Sequence, residues 1–160
     1  MIIRVPGGQE LEFSGGGNLK EALVALDRSL LKTYIAARCH GDTVDLHTPL
    51  PADAEAELIP WDGPAAPAIF RHSLSHVMAQ AVRRLFPEAQ LAIGPAIEDG
   101  FYYDFDVERA FTPEDLTRIE QEMGRICKEN LRFERFEVPR AEALETLAEA
   151  PYKREIVEDL

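Results

Sequence analysis

Two histidines stand four residues apart in the stretch Arg71-His-Ser-Leu-Ser-His76. On a helix this interval puts both imidazoles on one face, one above the other. Such a pair can supply two of the roughly four ligands of a tetrahedral metal. It can equally polarise water or hold a substrate in a hydrolytic site, where neutral imidazole near pH 7 works as acid or base. In either use His72 and His76 are half a site, because further ligands, or a nucleophile and a group to hold an oxyanion, have to come from elsewhere. A purely structural pair is the plain alternative.

Other side chains of these types offer less. His40 and His47 fall in the turn-rich part of the first 60 residues, with no acid or cysteine at useful spacing, and read as surface loop residues. Cys39 and Cys127 are far apart and neither has a second cysteine at metal-ligand spacing, so both read as reduced, buried thiols. Asp104 and Asp106 could look like paired acids. They alternate with aromatic residues, however: Phe101, Tyr103, Phe105 and Val107 share one strand face and Tyr102, Asp104 and Asp106 the other, which is the pattern of a solvated sheet face.

The histidines need a helix to carry them. Leu74, Val77, Met78, Ala81 and Leu85 recur at three- and four-residue intervals and form a buried stripe beside the histidine face. Arg83 and Arg84 complement the dipole of the last turn and Pro87 ends the helix. Two apolar strands follow over 90–107, separated by the hairpin signal Glu98-Asp-Gly100. Thr112 caps the next helix, with Pro113 at its first position and Leu116, Ile119, Met123 and Ile126 as its buried stripe. Phe133–Val138 reads as a strand, Pro139 opens a short helix to about Ala148, and a helical pattern runs from Tyr152 to Leu160.

Residues 1–62 make a separate pattern. A hairpin of Met1–Val5 and Glu10–Phe13 leads to a helix capped by Asn18, with Leu19, Ala22, Leu23 and Leu26 as its apolar face. Strands at 33–38, 43–46 and 54–59 follow, the first two joined at His40-Gly-Asp42. The result is a small α+β roll with one helix on one sheet. The Pro- and Gly-rich run Trp61–Pro67 links it to the histidine helix.

With 160 residues, 46% hydrophobic and 29% charged, the chain has the balance of one globular domain or two small ones. Its net charge of -12, spread over both parts, provides no global field to attract phosphate backbones and argues against a free-standing nucleic-acid binder. No apolar run approaches the roughly 18 residues needed to cross a bilayer, and the start lacks a signal-peptide layout, so no membrane partner is expected and the cytoplasm is the expected compartment.

The phrases Val5-Pro-Gly-Gly8, Ala36-Ala-Arg-Cys-His-Gly-Asp42 and Val44-Asp-Leu-His-Thr-Pro-Leu50 resemble the TGS domain, a ubiquitin-like β-grasp module, with His40-Gly41 where that family has Asn-Gly. The linked phrases His72-Ser-Leu-Ser-His76, Leu85-Phe-Pro87, Ala92-Ile-Gly-Pro95 and Asp99-Gly-Phe-Tyr-Tyr-Asp104 are similar, at matching spacings, to the opening of the editing domain of bacterial threonyl-tRNA synthetases. The resemblance covers essentially the whole chain. It implies an α+β fold, with a TGS β-grasp domain over 1–62, a linker over 63–67 and, over 68–160, an incomplete editing domain made of a helix, an antiparallel hairpin and helices.

That family ligates threonine to its tRNA with ATP, and its editing domain hydrolyses serine wrongly joined to threonine tRNA, a second sieve for what the synthetic pocket fails to reject. By resemblance His72 and His76 line the editing pocket as its catalytic pair, Lys153 contacts the substrate, and Tyr103 and Gly94 form pocket wall. The implied partner is the 3′ end of tRNA(Thr), within a homodimeric parent enzyme. No metal is implied at the histidines, and ATP, Mg and Zn belong to a catalytic domain with no counterpart in these residues. Family members continue with a Cys-x-x-x-His segment that completes the histidine cluster. The expectation is therefore an N-terminal fragment that is inactive by itself. The alternatives are a non-catalytic RNA- or partner-binding module, or the front of a TGS-containing nucleoside-kinase-like protein.

Overall fold

Gly7 and Gly8, both at positive φ, turn strand β1 (Ile2–Arg4) back into β2 (Glu10–Glu12). In the computed structural model residues 1–131 and 136–159 are described, and they divide into two compact units, Met1–Pro67 and Ala68–Leu160.

In the first unit, β3 (Gly17–Asn18) leads into α1 (Leu19–Asp27), whose open N-terminus is closed by the Asn18 side chain accepting the Glu21 N–H at 2.9 Å. A 3-10 turn (Arg28–Lys32) follows, then β4 (Tyr34–Cys39), β5 (Asp42–Asp45), β6 (Pro49–Leu50) and β7 (Glu55–Pro60). The main sheet runs β2-β1-β7-β4-β5, with β1 and β7 parallel and the other pairs antiparallel; β3 and β6 pair separately. The β4–β5 turn puts both central residues at positive φ, His40 at 51° and Gly41 at 93°, the requirement of a tight two-residue hairpin. Ile3, Leu19, Leu23, Ala37 and Leu58 are fully enclosed between helix and sheet. Leu26, expected on the buried face of α1, is instead 39% exposed: α1 ends one residue later, and only its first two turns lie over the sheet core.

The second unit is built on α2 (Ala66–Leu85), which carries both histidines. It starts inside the expected 63–67 linker, so the last two residues of that stretch are helical. Ala81 and Val82 are fully buried, with Val77, Met78 and Leu85 packed around them. The two strands expected over 90–107 are each broken in two: β8 (Gln90–Leu91), β9 (Ala96–Ile97), β10 (Gly100–Phe101) and β11 (Phe105–Asp106). β9 pairs with β10 and β8 with β11, while Ala92 N–H to Asp104 O and Asp104 N–H to Ile93 O bridge the gap at 3.0 and 2.8 Å. Pro95 has no N–H to give to a ladder, which is why pairing lapses there. The expected alternation persists, with Phe101, Tyr103, Phe105 and Val107 half-buried and Tyr102, Asp104 and Asp106 exposed.

Helix α3 (Pro113–Glu129) opens with a capping box between Thr112 and Asp115 and ends on Asn130 in the left-handed region. Ile119 and Ile126 are buried as expected, but Leu116 is 57% exposed, and the face it was assigned to is occupied by Asp115 and Glu122, both nearly covered. Arg84 of α2 donates to both Glu122 and Glu129, so these acids fasten α3 to the histidine helix. Cys39 is buried, whereas Cys127, expected to be so, is exposed. Of the expected strand 133–138, residues 133–135 lie outside the described residues and 136–138 have no regular structure. Two short helices, α4 (Arg140–Thr146) and α5 (Pro151–Glu158), complete a mixed α+β chain with five α-helices among the described residues. No helix among these residues is long and apolar enough to cross a membrane.

Candidate functional site

The 3.6-residue turn of α2 stacks His72 and His76 as their spacing demands. Their Nε2 atoms are 3.1 Å apart and their rings meet edge to face, centroids 4.7 Å apart at 83°. A hydrogen bond at that distance needs one Nε2 protonated and the other bare, so the pair holds opposite tautomers when both rings are neutral. Ser75, buried between them in sequence, turns its hydroxyl inward to the His72 carbonyl at 2.8 Å, leaving the histidine face to the imidazoles. His76 has its pKa pushed below the ordinary value, first by partial burial of its ring, then by His72 and then by the cationic Lys153. At pH 7 it is a neutral imidazole.

A cleft of about 400 Å³ opens beside this pair. His76, Ala79, Gln80, Arg83 and Arg84 line it from α2, Leu91 from β8, Tyr103 from the hairpin and Lys153 from α5. Burial raises the pKa of the Tyr103 phenol, which is therefore a neutral hydrogen-bonding group, and its ring stacks on Phe105 at 4.8 Å. Gly94 lies against that ring: a Cβ there would be 2.0 Å from Tyr103 Cδ2. Four of the five expected site residues thus meet around one cleft, His76, Tyr103 and Lys153 in its wall and Gly94 behind Tyr103, with His72 bonded to His76.

Gln80 was not singled out from the sequence, and Arg83 only as a complement to the helix dipole. Their signal was available in the spacing, since His72, His76, Gln80 and Arg83 follow one stripe of α2 at intervals of four, four and three. Among the described residues no group of three or more His, Cys, Asp or Glu is arranged to hold a metal ion. His72 and His76 supply two donors where zinc takes three or four, so the residues present do not fit a resident zinc.

The first unit has a polar cluster of its own, contrary to the expectation that His47 has no acidic partner. His47 Nδ1 is 2.8 Å from Asp45 Oδ1 and its Nε2 is 3.1 Å from Lys20 Nζ. The turn that brings His47 back onto Asp45 is local, and the approach of Lys20 from α1 is tertiary.

Fold and cleft together define a mixed α+β protein with a paired-imidazole cleft suited to proton transfer. No family model matches the chain. Among curated proteins it is 44% identical over 160 residues to the threonine-tRNA ligase of Clostridium tetani, 45% to that of Desulforamulus reducens and 44% to that of Acetivibrio thermocellus. Each alignment takes in 99% of this chain and 25% of the relative. The chain belongs to the threonine-tRNA ligase family, and it spans about a quarter of the length of the relatives it matches.

Proposed function

We propose that the chain is part of a threonine-tRNA ligase, that its first unit is a TGS domain of the β-grasp type, and that its second unit belongs to the proofreading domain that hydrolyses Ser-tRNA(Thr). The observation that carries this reading is the convergence of His76, Tyr103 and Lys153 on one cleft from three parts of the second unit, with His72 bonded to His76.

In this reading the substrate is the aminoacyl ester at the 3′ end of tRNA(Thr). Water adds to the ester carbonyl as a neutral imidazole takes its proton, the carbonyl-oxygen bond to the ribose breaks, and the ribose hydroxyl leaves carrying a proton. His76, neutral at pH 7, can accept a proton, and His72 fixes its tautomer and orientation. The Lys153 ammonium lies where it can hold substrate oxygen, and Tyr103 packed on Gly94 closes one wall. ATP, Mg and Zn serve the aminoacylation step elsewhere in the parent enzyme, which acts in the cytoplasm as a homodimer. The histidine pair is completed by a Cys-x-x-x-His segment that these 160 residues do not contain, so the chain alone has little hydrolytic activity and no amino-acid activation.

Deacylation of Ser-tRNA(Thr) tests this reading. The parent enzyme is expected to lose roughly a hundredfold or more of its hydrolysis on replacing His72 or His76 by Ala, while threonine activation is kept. Unchanged proofreading in the double variant would sink the assignment. Robust turnover by the isolated chain would refute the need for the completing segment.

A further inference from the structure

We propose that Asp106 and Tyr152 are positioning residues for the cleft, their hydrogen bond holding α5 where Lys153 stands beside His76. This deepens the proofreading reading and rests on it for the purpose of the site, although the contact itself does not.

The Tyr152 hydroxyl donates to Asp106 Oδ2 at 2.9 Å, joining residues 46 apart in sequence. The carboxylate raises the Tyr152 pKa, keeping the phenol protonated and therefore a donor. Tyr152 immediately precedes Lys153, so whatever fixes one fixes the start of the other side chain. Asp106 belongs to β11, which pairs Phe105 with Leu91 of β8, and Leu91 lines the cleft with Lys153. The bond therefore clips α5 to the ladder that forms the cleft's own wall.

Helix α5 lies beside β8 and α4, with little apolar burial among the described residues. It has no buried residue, its Ile156 is half-exposed, and eight residues make a helix that is marginal unless packed. Arg140 of α4 donates to the Val157 and Glu158 carbonyls at 3.1 and 2.6 Å, which secures the C-terminal end of α5 to another short helix and not to the cleft. At the N-terminal end, where Lys153 lies, the directional tie to the hairpin is Tyr152 to Asp106. With so little apolar burial available, a hydrogen bond decides where that end sits.

The 160-residue chain itself provides the test, with His76 as reporter. His72 and Lys153 face its ring, and Tyr103, Arg83 and Arg84 line the same cleft. Removing the Lys153 charge, by Lys153→Ala, is expected to raise the His76 titration midpoint followed by NMR. Tyr152→Phe is expected to raise it in the same direction and to add nothing in the Lys153→Ala background. Asp106→Asn keeps an oxygen that accepts from the phenol and is expected to leave the midpoint near wild type, whereas Asp106→Ala is expected to match Tyr152→Phe. Amide-exchange protection of α2 and α3 reports that the variants stay folded. A Tyr152→Phe chain whose His76 titrates as in wild type overturns the proposal, and so does a Lys153→Ala chain with an unmoved His76. Neither result depends on deacylation, so loss of this inference and loss of the proofreading assignment are told apart.

Discussion

The ring of Tyr103 fills the space that a Cβ on Gly94 would need. Such a carbon would lie 2.0 Å from Cδ2, 2.4 Å from Cε2 and 2.7 Å from Cγ. Because Cγ sits one bond from the Tyr103 Cβ, rotating the tip of the ring does not clear the contact. The wall of the cleft is therefore set by a glycine chosen for what it lacks, at a break in the hairpin that Pro95 helps to make.

Gly94→Ala is expected to destabilise the chain by about 1–3 kcal/mol, the usual cost of forcing a carbon into packed space. Urea unfolding measures it. In a Tyr103→Ala background the same change is expected to cost much less, since the atoms it collides with are gone. Additive costs in the double variant would refute the contact.

His76 is expected to protonate below the ordinary 6.5, because burial, His72 and Lys153 all disfavour its cation. The unfolded chain takes up that proton first, so stability falls as pH drops through 6.5 and levels off below the folded midpoint. His72→Ala removes one of the groups that disfavour the cation and is expected to move the midpoint upward. A carbon-detected titration of the Cε1 resonances reads both effects.

Asp115 is expected to govern the acid limb of stability. Arg109 at 2.6 Å, then the Thr112 N–H at 3.0 Å, hold its carboxylate well below the usual range. The stability this contributes is present above the ordinary 3.8 and is lost as pH falls below it. Asp115→Asn is expected to flatten that limb in thermal melts taken between neutral pH and acid. Thr112→Ala, which removes the cap, is expected to cost about 1 kcal/mol at neutral pH.

His40 holds a left-handed conformation that most side chains avoid, at the first central position of the β4–β5 turn. His40→Asn is expected to stabilise the first unit by about 0.5 kcal/mol, because Asn adopts that region at lower cost. His40→Val is expected to be destabilising. Chemical denaturation of the two variants side by side distinguishes them, and equal midpoints would contradict the strained-turn reading.

Features that depend on neighbours in sequence were legible from the residues alone. The His72–His76 stack, the Asn18 and Thr112 caps, the His40-Gly41 turn and the alternation over 101–107 all follow from backbone geometry within a few residues. That geometry is the same wherever the segment ends up. Sequence also placed Leu26 and Leu116 on apolar stripes, and there it overreached, because a stripe says which side of a helix is apolar and not how much of it finds a partner.

Tertiary structure decided what the stripes could not. It left Leu26 and Leu116 in solvent and covered Asp115 and Glu122 instead, the Asp115 carboxylate being satisfied by Arg109 six residues away and that of Glu122 by Arg84 of α2. It exposed Cys127, interrupted the pairing of the two strands where Gly94-Pro95 lies, brought Lys20 to His47, and brought Lys153 within electrostatic reach of a histidine 77 positions earlier. Contacts of that kind depend on how separate elements pack, and the local preferences of a chain contain no term for them.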